Sequence, residues 1–96
     1  MPLLEEIKQN RDLILAIAAR HGARNVRVFG SVARGEEGPD SDIDFLVGME
    51  QGRSLLDFIA FQQDAEDLLK RKVDVIDEEG IYHLLKDRIL NEAMPI

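Results

Sequence analysis

Apolar residues recur along this chain in two alternating rhythms. From residue 3 to about residue 21, Leu3, Ile7, Ile14 and Ala18, with Ile17, fall near one stripe at helical spacing. His21-Gly22 then supplies a polar last turn and a glycine stop. The spacing predicts one long helix. Val26 to Phe29 switches to the period of a strand, with Val26 and Val28 on one face and Arg27 and Phe29 on the other. Asp42 to Gly48 repeats that pattern, its Ile43, Phe45 and Val47 forming an apolar face. Ser54 is a suitable N-cap with Asp57 three residues on, and Phe58, Phe61, Ala65 and Leu68 follow at helical spacing to about Leu69. Val73 to Ile76 reads as a third strand, and Ile81, Leu85, Ile89 and Ala93 predict a last helix from about Ile81 to Ala93.

Connections then set the topology. The second and third strands are separated by a whole helix, as a parallel crossover requires. The first and second must bring the end of one to the start of the other, which favours antiparallel pairing. The expectation is an α/β (α+β) fold: a small mixed sheet of three or so strands flanked by helices.

Composition narrows the class. The 96 residues predict a single domain spanning 1–96. With 45% hydrophobic and 32% charged residues the chain reads as an ordinary globular protein. No cysteine is present, so neither a disulfide frame nor a thiolate metal site is available. No run approaches the ~20 apolar residues of a membrane span, and the opening MPLLEEIKQN lacks a signal-peptide core. The cytoplasm is the expected compartment. A net charge of −7 argues against an extensive nucleic-acid surface.

The candidate chemistry lies in VRVFGSVARGEEGPDSDIDFLV, residues 26–47. Asp42 and Asp44 share a strand face, with Cα atoms roughly 7 Å apart. Asp74 adds one acid to the third strand in the same way. Mg²⁺ takes oxygen ligands and is usually held by one or two carboxylates plus substrate phosphates. Upstream, Gly30 permits a sharp turn and close ligand approach. Ser31 is placed to cap a short helix from Val32, whose first N–H groups would face an anion, and Arg34 adds a charge suited to phosphate. Glu36 to Asp40 is the intervening loop.

Plainer readings compete. The Asp-x-Asp pair could be a solvated sheet edge. Arg34 could pair with Glu36 or Glu37 on the surface. Lys70-Arg71-Lys72 fits a helix C-terminus, although one of the three could touch phosphate beside Asp74. Tyr82 and His83 read as packing or surface residues. A calcium loop starting at Asp40 fails, because its sixth and twelfth positions hold Phe45 and Gln51. A P-loop fails because no Gly-Lys-Ser/Thr follows the glycines.

Gly30-Ser31, Ala33-Arg34-Gly35, Ser41-Asp42-Ile43-Asp44 and Asp74 resemble the minimal nucleotidyltransferase (MNT) family, within the DNA polymerase β-like nucleotidyltransferase superfamily. The resemblance covers nearly the whole chain. It implies transfer of AMP from ATP to a hydroxyl. Asp42, Asp44 and Asp74 would be the catalytic and Mg²⁺-binding set, with Asp74 also the candidate general base. Gly30, Ser31 and Arg34 would bind the nucleotide. Two Mg²⁺ ions would set four positive charges against three carboxylates and make the pocket receptive to a triphosphate. The resemblance also implies a partner, a HEPN-type ribonuclease toxin, silenced by adenylylation of a tyrosine in a toxin–antitoxin pair. Two alternatives stand beside this: a non-catalytic toxin-binding antitoxin or assembly subunit, and a small-molecule nucleotidyltransferase.

Overall fold

The computed structural model describes residues 2–96. The N-terminal helical stripe is divided into α1 (Leu3–Gln9) and α2 (Arg11–Arg20), where one helix was expected. Asn10 makes the break. Its backbone sits at φ −96°, ψ 11°, and its side-chain Nδ2 donates to the carbonyl of Glu6 at 2.9 Å. Asparagine competes with the helix for its own backbone partners in this way. The stripe survives: Leu3, Ile7, Ile14 and Ala18 are all buried. His21 ends α2 and, beyond that capping role, stands 2.7 Å from Asp64.

The first strand, β1 (Ala23–Phe29), starts three residues earlier than its apolar run suggests. Asn25 takes a left-handed conformation at φ 53°, and the pairing register shifts between Arg24 and Arg27. That bulge lets the exposed, polar Arg24 and Asn25 join an otherwise covered strand. A short helix, α3 (Gly30–Arg34), follows directly. Then come β2 (Ile43–Met49), α4 (Leu55–Leu69) and β3 (Val73–Asp77). At the start of α4 the Asp57 carboxylate accepts from the Ser54 backbone N–H at 3.0 Å, as the Ser-x-x-Asp spacing predicts.

The C-terminal region departs from expectation. A single helix from Ile81 to Ala93 was expected; instead a 3₁₀ turn (Glu78–Gly80) leads into an irregular stretch over 81–85, and only a short α5 (Lys86–Glu92) forms. Of the predicted stripe only Ile89 is buried; Ile81 and Ala93 pack at its margin and Leu85 is exposed. Asp77 caps the 3₁₀ turn by accepting from Glu79 N–H, which diverts the chain before an α-helix starts. A two-residue strand, β4 (Met94–Pro95), closes the far edge.

The sheet order is β3-β2-β1-β4. β1 pairs antiparallel with β2 and with β4, while β2 and β3 are parallel. Both expected pairings hold, and the mixed sheet of three or so strands is realised with four, the short β4 being the addition. One face carries Val26, Val28, Ile43, Phe45, Val47, Val73 and Val75 into the main core beneath α1, α2 and α4. Phe45 and Phe61, both fully buried, meet there with ring centroids 6.3 Å apart. Truncating such a phenylalanine costs about 3–5 kcal/mol. The other face is covered in part by α5, whose Ile89 packs with Phe29 and Leu46. The carboxylates lie on this second face. No helix among the described residues is long and apolar enough to cross a membrane.

Candidate active site

Register brings the acids together. Phe29, Asp44 and Asp74 are direct neighbours across β1, β2 and β3. Asp44 and Asp74 therefore share a face on adjacent parallel strands, where backbones run roughly 4.8 Å apart. Nothing basic is paired with either of them among the described residues. Asp42 lies in the loop residue before β2, and its Oδ2 stands 3.7 Å from Lys72 Nζ. Three hydrogen bonds fix that loop. Arg71 Nη1 donates to the carbonyls of Ser41 at 2.8 Å and Pro39 at 3.3 Å, and Ile43 N–H donates to the Lys72 carbonyl at 3.0 Å. The basic trio thus serves the acidic loop directly, through Arg71 and Lys72.

Gly30 sits where β1 turns into α3, at φ 74°. A side chain there would be strained by that φ. It would also place its Cβ 2.2 Å from Asp44 Oδ2. Glycine is needed at this position on both counts, for the turn and for the approach of the carboxylate. Ser31 differs from expectation: it lies inside α3 rather than capping it. Phe29 is the N-cap, in an extended conformation, and no side chain bonds the first turn. Because the helix begins at Gly30, one residue before the serine, Ser31 contributes its carbonyl to Glu36 N–H at 2.8 Å instead.

Arg34 ends α3 half-exposed, with Nε 3.1 Å from Glu36 and Nη1 in contact with Glu92 of α5. These carboxylates raise its pKa further above the ordinary arginine value, Glu36 foremost. The pairing with Glu36 was one sequence-level alternative; the contact with Glu92 lay 58 residues away and had no sequence signal.

Asp44 has a pKa raised from 3.8 to about 6. Burial is the main cause, followed by the like charges of Asp74, Asp42 and Glu92, with Arg34 opposing them. The site is short of positive charge. Among the described residues no three acidic or histidine side chains close into a ready-made cage around one point. The donor set is nevertheless that of a hard divalent ion: carboxylate oxygens on one sheet face, with no arginine or lysine paired to Asp44 or Asp74 among the described residues. Mg²⁺ asks for one or two such carboxylates and fills its other positions with water and phosphate oxygens. The residues fit it.

The chain is similar to known proteins over most of its length. The family model described as the nucleotidyltransferase domain matches residues 11–95. A Methanocaldococcus jannaschii protein provisionally named a protein adenylyltransferase is 43% identical over 97% of each chain. The protein adenylyltransferase MntA of Thermococcus cleftensis is 39% identical over 78% of this chain and 76% of its own. A solved structure provisionally described as a minimal nucleotidyltransferase superposes with a TM-score of 0.88, at 47% identity, over 100% of this chain and 97% of that one. A crystal structure of a toxin–antitoxin with AMP-PNP shares the fold, with a TM-score of 0.75 at 19% identity over 90% of this chain and 71% of that one. With a family model spanning nearly its whole length and relatives matched end to end, this chain belongs to the nucleotidyltransferase domain family, and it is an enzyme of that class.

Proposed function

We propose that the chain transfers AMP from ATP to a hydroxyl of a partner protein, a tyrosine of a HEPN-type ribonuclease toxin, and acts as the antitoxin of that pair. The observation that carries this reading is the in-register placement of Asp44 beside Asp74, with Gly30 against Asp44. Relatives named protein adenylyltransferases, and a toxin–antitoxin assembly of the same fold, support the acceptor class.

The chain's own residues would act as follows. Asp42, Asp44 and Asp74 would hold two Mg²⁺ ions, which when bound neutralise the triphosphate and make the acceptor hydroxyl more acidic. Gly30, having no side chain, leaves the room that the Asp44 carboxylate occupies, and the Gly30-Ser31 backbone and the Arg34 guanidinium would face the phosphates. The acceptor oxygen attacks the α-phosphorus, its proton passes to a carboxylate oxygen of Asp74, and pyrophosphate leaves with the bonding electrons. Ile89 and its neighbours cover the sheet face beside the acids.

A protein acceptor also suits what surrounds the acids. The cavity of about 340 Å³ lined by Met49, Arg53, Ser54, Leu55, Phe58 and Asp77 lies by the opposite, C-terminal ends of β2 and β3. It is not placed to hold a small acceptor against Asp44. The test is incubation with ATP, Mg²⁺ and the protein encoded beside this one, read by mass spectrometry. AMP on a partner tyrosine is expected. Binding of the partner without any AMP adduct would overturn the catalytic reading in favour of a binding-only antitoxin.

A further inference from the structure

Arg34 is a long, flexible cation on a five-residue helix, yet two carboxylates from different elements grip it. Glu36 takes Nε from the loop after α3, and Glu92 takes Nη1 from α5, while Nη2 has no hydrogen-bond partner among the described residues. Glu92 is the more enclosed of the two acids, its side chain 17% exposed against 65% for Glu36. It also lies close enough to the aspartates for its charge to bear on Asp44. The last turn of α5 therefore holds the site's cation directly and places a negative charge near Asp44.

We infer that Glu92 is a positioning residue of the nucleotide site: with Glu36 it fixes two edges of the Arg34 guanidinium, so that Nη2 is presented to a phosphate of the incoming nucleotide. This rests on the adenylyltransfer reading given above. The physical reason is pre-organisation. A free arginine loses rotamer freedom when it binds phosphate, whereas one already held loses little. Two negative groups beside a phosphate contact would otherwise weaken binding, and so their effect on affinity decides between positioning and repulsion.

The measurement is equilibrium binding of a non-hydrolysable ATP analogue in Mg²⁺, together with KM and kcat for AMP transfer. The proteins are the unaltered chain, Glu92→Ala, Glu92→Gln, Arg34→Ala and the double variant Arg34→Ala/Glu92→Ala, each first checked by thermal melting. Glu92→Ala should weaken binding by about two- to tenfold, the effect of freeing one rotamer-rich side chain. KM for ATP should rise in step, with kcat unchanged. Glu92→Gln, which keeps an acceptor at the same reach, should fall between. Adding Glu92→Ala to Arg34→Ala should cost nothing further. Additive losses, tighter nucleotide binding in Glu92→Ala, or a fall in kcat alone would overturn the inference while leaving adenylyltransfer intact. If the unaltered chain binds no nucleotide, both the inference and the reading beneath it fail.

Discussion

The Oδ2 atom of Asp44 occupies the space that a side chain on Gly30 would need, with an added Cβ only 2.2 Å away. Gly30 also lies at φ 74°, which costs an alanine about 1–2 kcal/mol. Gly30→Ala should therefore lower the melting temperature by about 4–8 °C for each kcal/mol lost. Its effect on transfer should be larger, on the order of a hundredfold, because Asp44 must move to make room. Calorimetry and a transfer assay on the same preparation check this. Unchanged transfer in a folded Gly30→Ala would show that Asp44 need not stay where it is.

Asp44 makes stability depend on pH in an unusual direction. Its pKa is about 6 in the folded chain against 3.8 ordinarily, raised by burial and by Asp74, Asp42 and Glu92. Between about pH 4 and 6 the folded form keeps a proton that the unfolded form has released, so this group lowers stability as pH rises. The penalty is absent below that window and complete above it. In the absence of divalent ions, Asp44→Asn should melt higher than the unaltered chain at pH 7, and the two should converge near pH 4. Adding Mg²⁺ with ATP should stabilise the unaltered chain and not the variant. Melting curves across pH with and without Mg²⁺ test both statements. A variant that melts lower at pH 7 would contradict them.

Arg71 holds the loop that delivers Asp42, through the carbonyls of Pro39 and Ser41. Arg71→Gln should cost about 1 kcal/mol of stability, because the contacts are part-exposed. It should raise the Mg²⁺ concentration needed for half-maximal transfer, with less effect at saturating metal. A change in kcat at saturation with no change in metal dependence would assign Arg71 some other role.

Much of this was legible in the residues. The alternation of Ile43, Phe45 and Val47 against Asp44 placed one face in the core and the other at the acids. The helix between Phe45 and Val75 required the parallel pairing that sets Asp44 beside Asp74. Local chemistry sufficed for the Ser54–Asp57 cap. What failed depended on contacts distant in sequence or on backbone geometry without an apolar signature. Asn10 breaks a helix whose stripe is continuous, because its side chain takes the Glu6 carbonyl. Ser31 looked like a cap, but the helix is entered one residue earlier, at Gly30, with Phe29 as its N-cap. The predicted last helix lost its first turn to the irregular stretch 81–85 that follows the Asp77-capped 3₁₀ turn. Strand β4 is two residues long and contains a proline, so only its pairing with Arg27 and Val28 defines it. Glu92 reaches Arg34 from 58 residues away, and no spacing rule announces that.

The central claim is that Asp44 and Asp74 together hold divalent ions against a nucleotide. Mn²⁺ binding, followed by electron paramagnetic resonance in the presence of a non-hydrolysable ATP analogue, tests it most directly. The unaltered chain should take up Mn²⁺ cooperatively with the nucleotide, and folded Asp44→Asn and Asp74→Asn should each lose that uptake. Undiminished Mn²⁺ binding in Asp74→Asn would contradict the account.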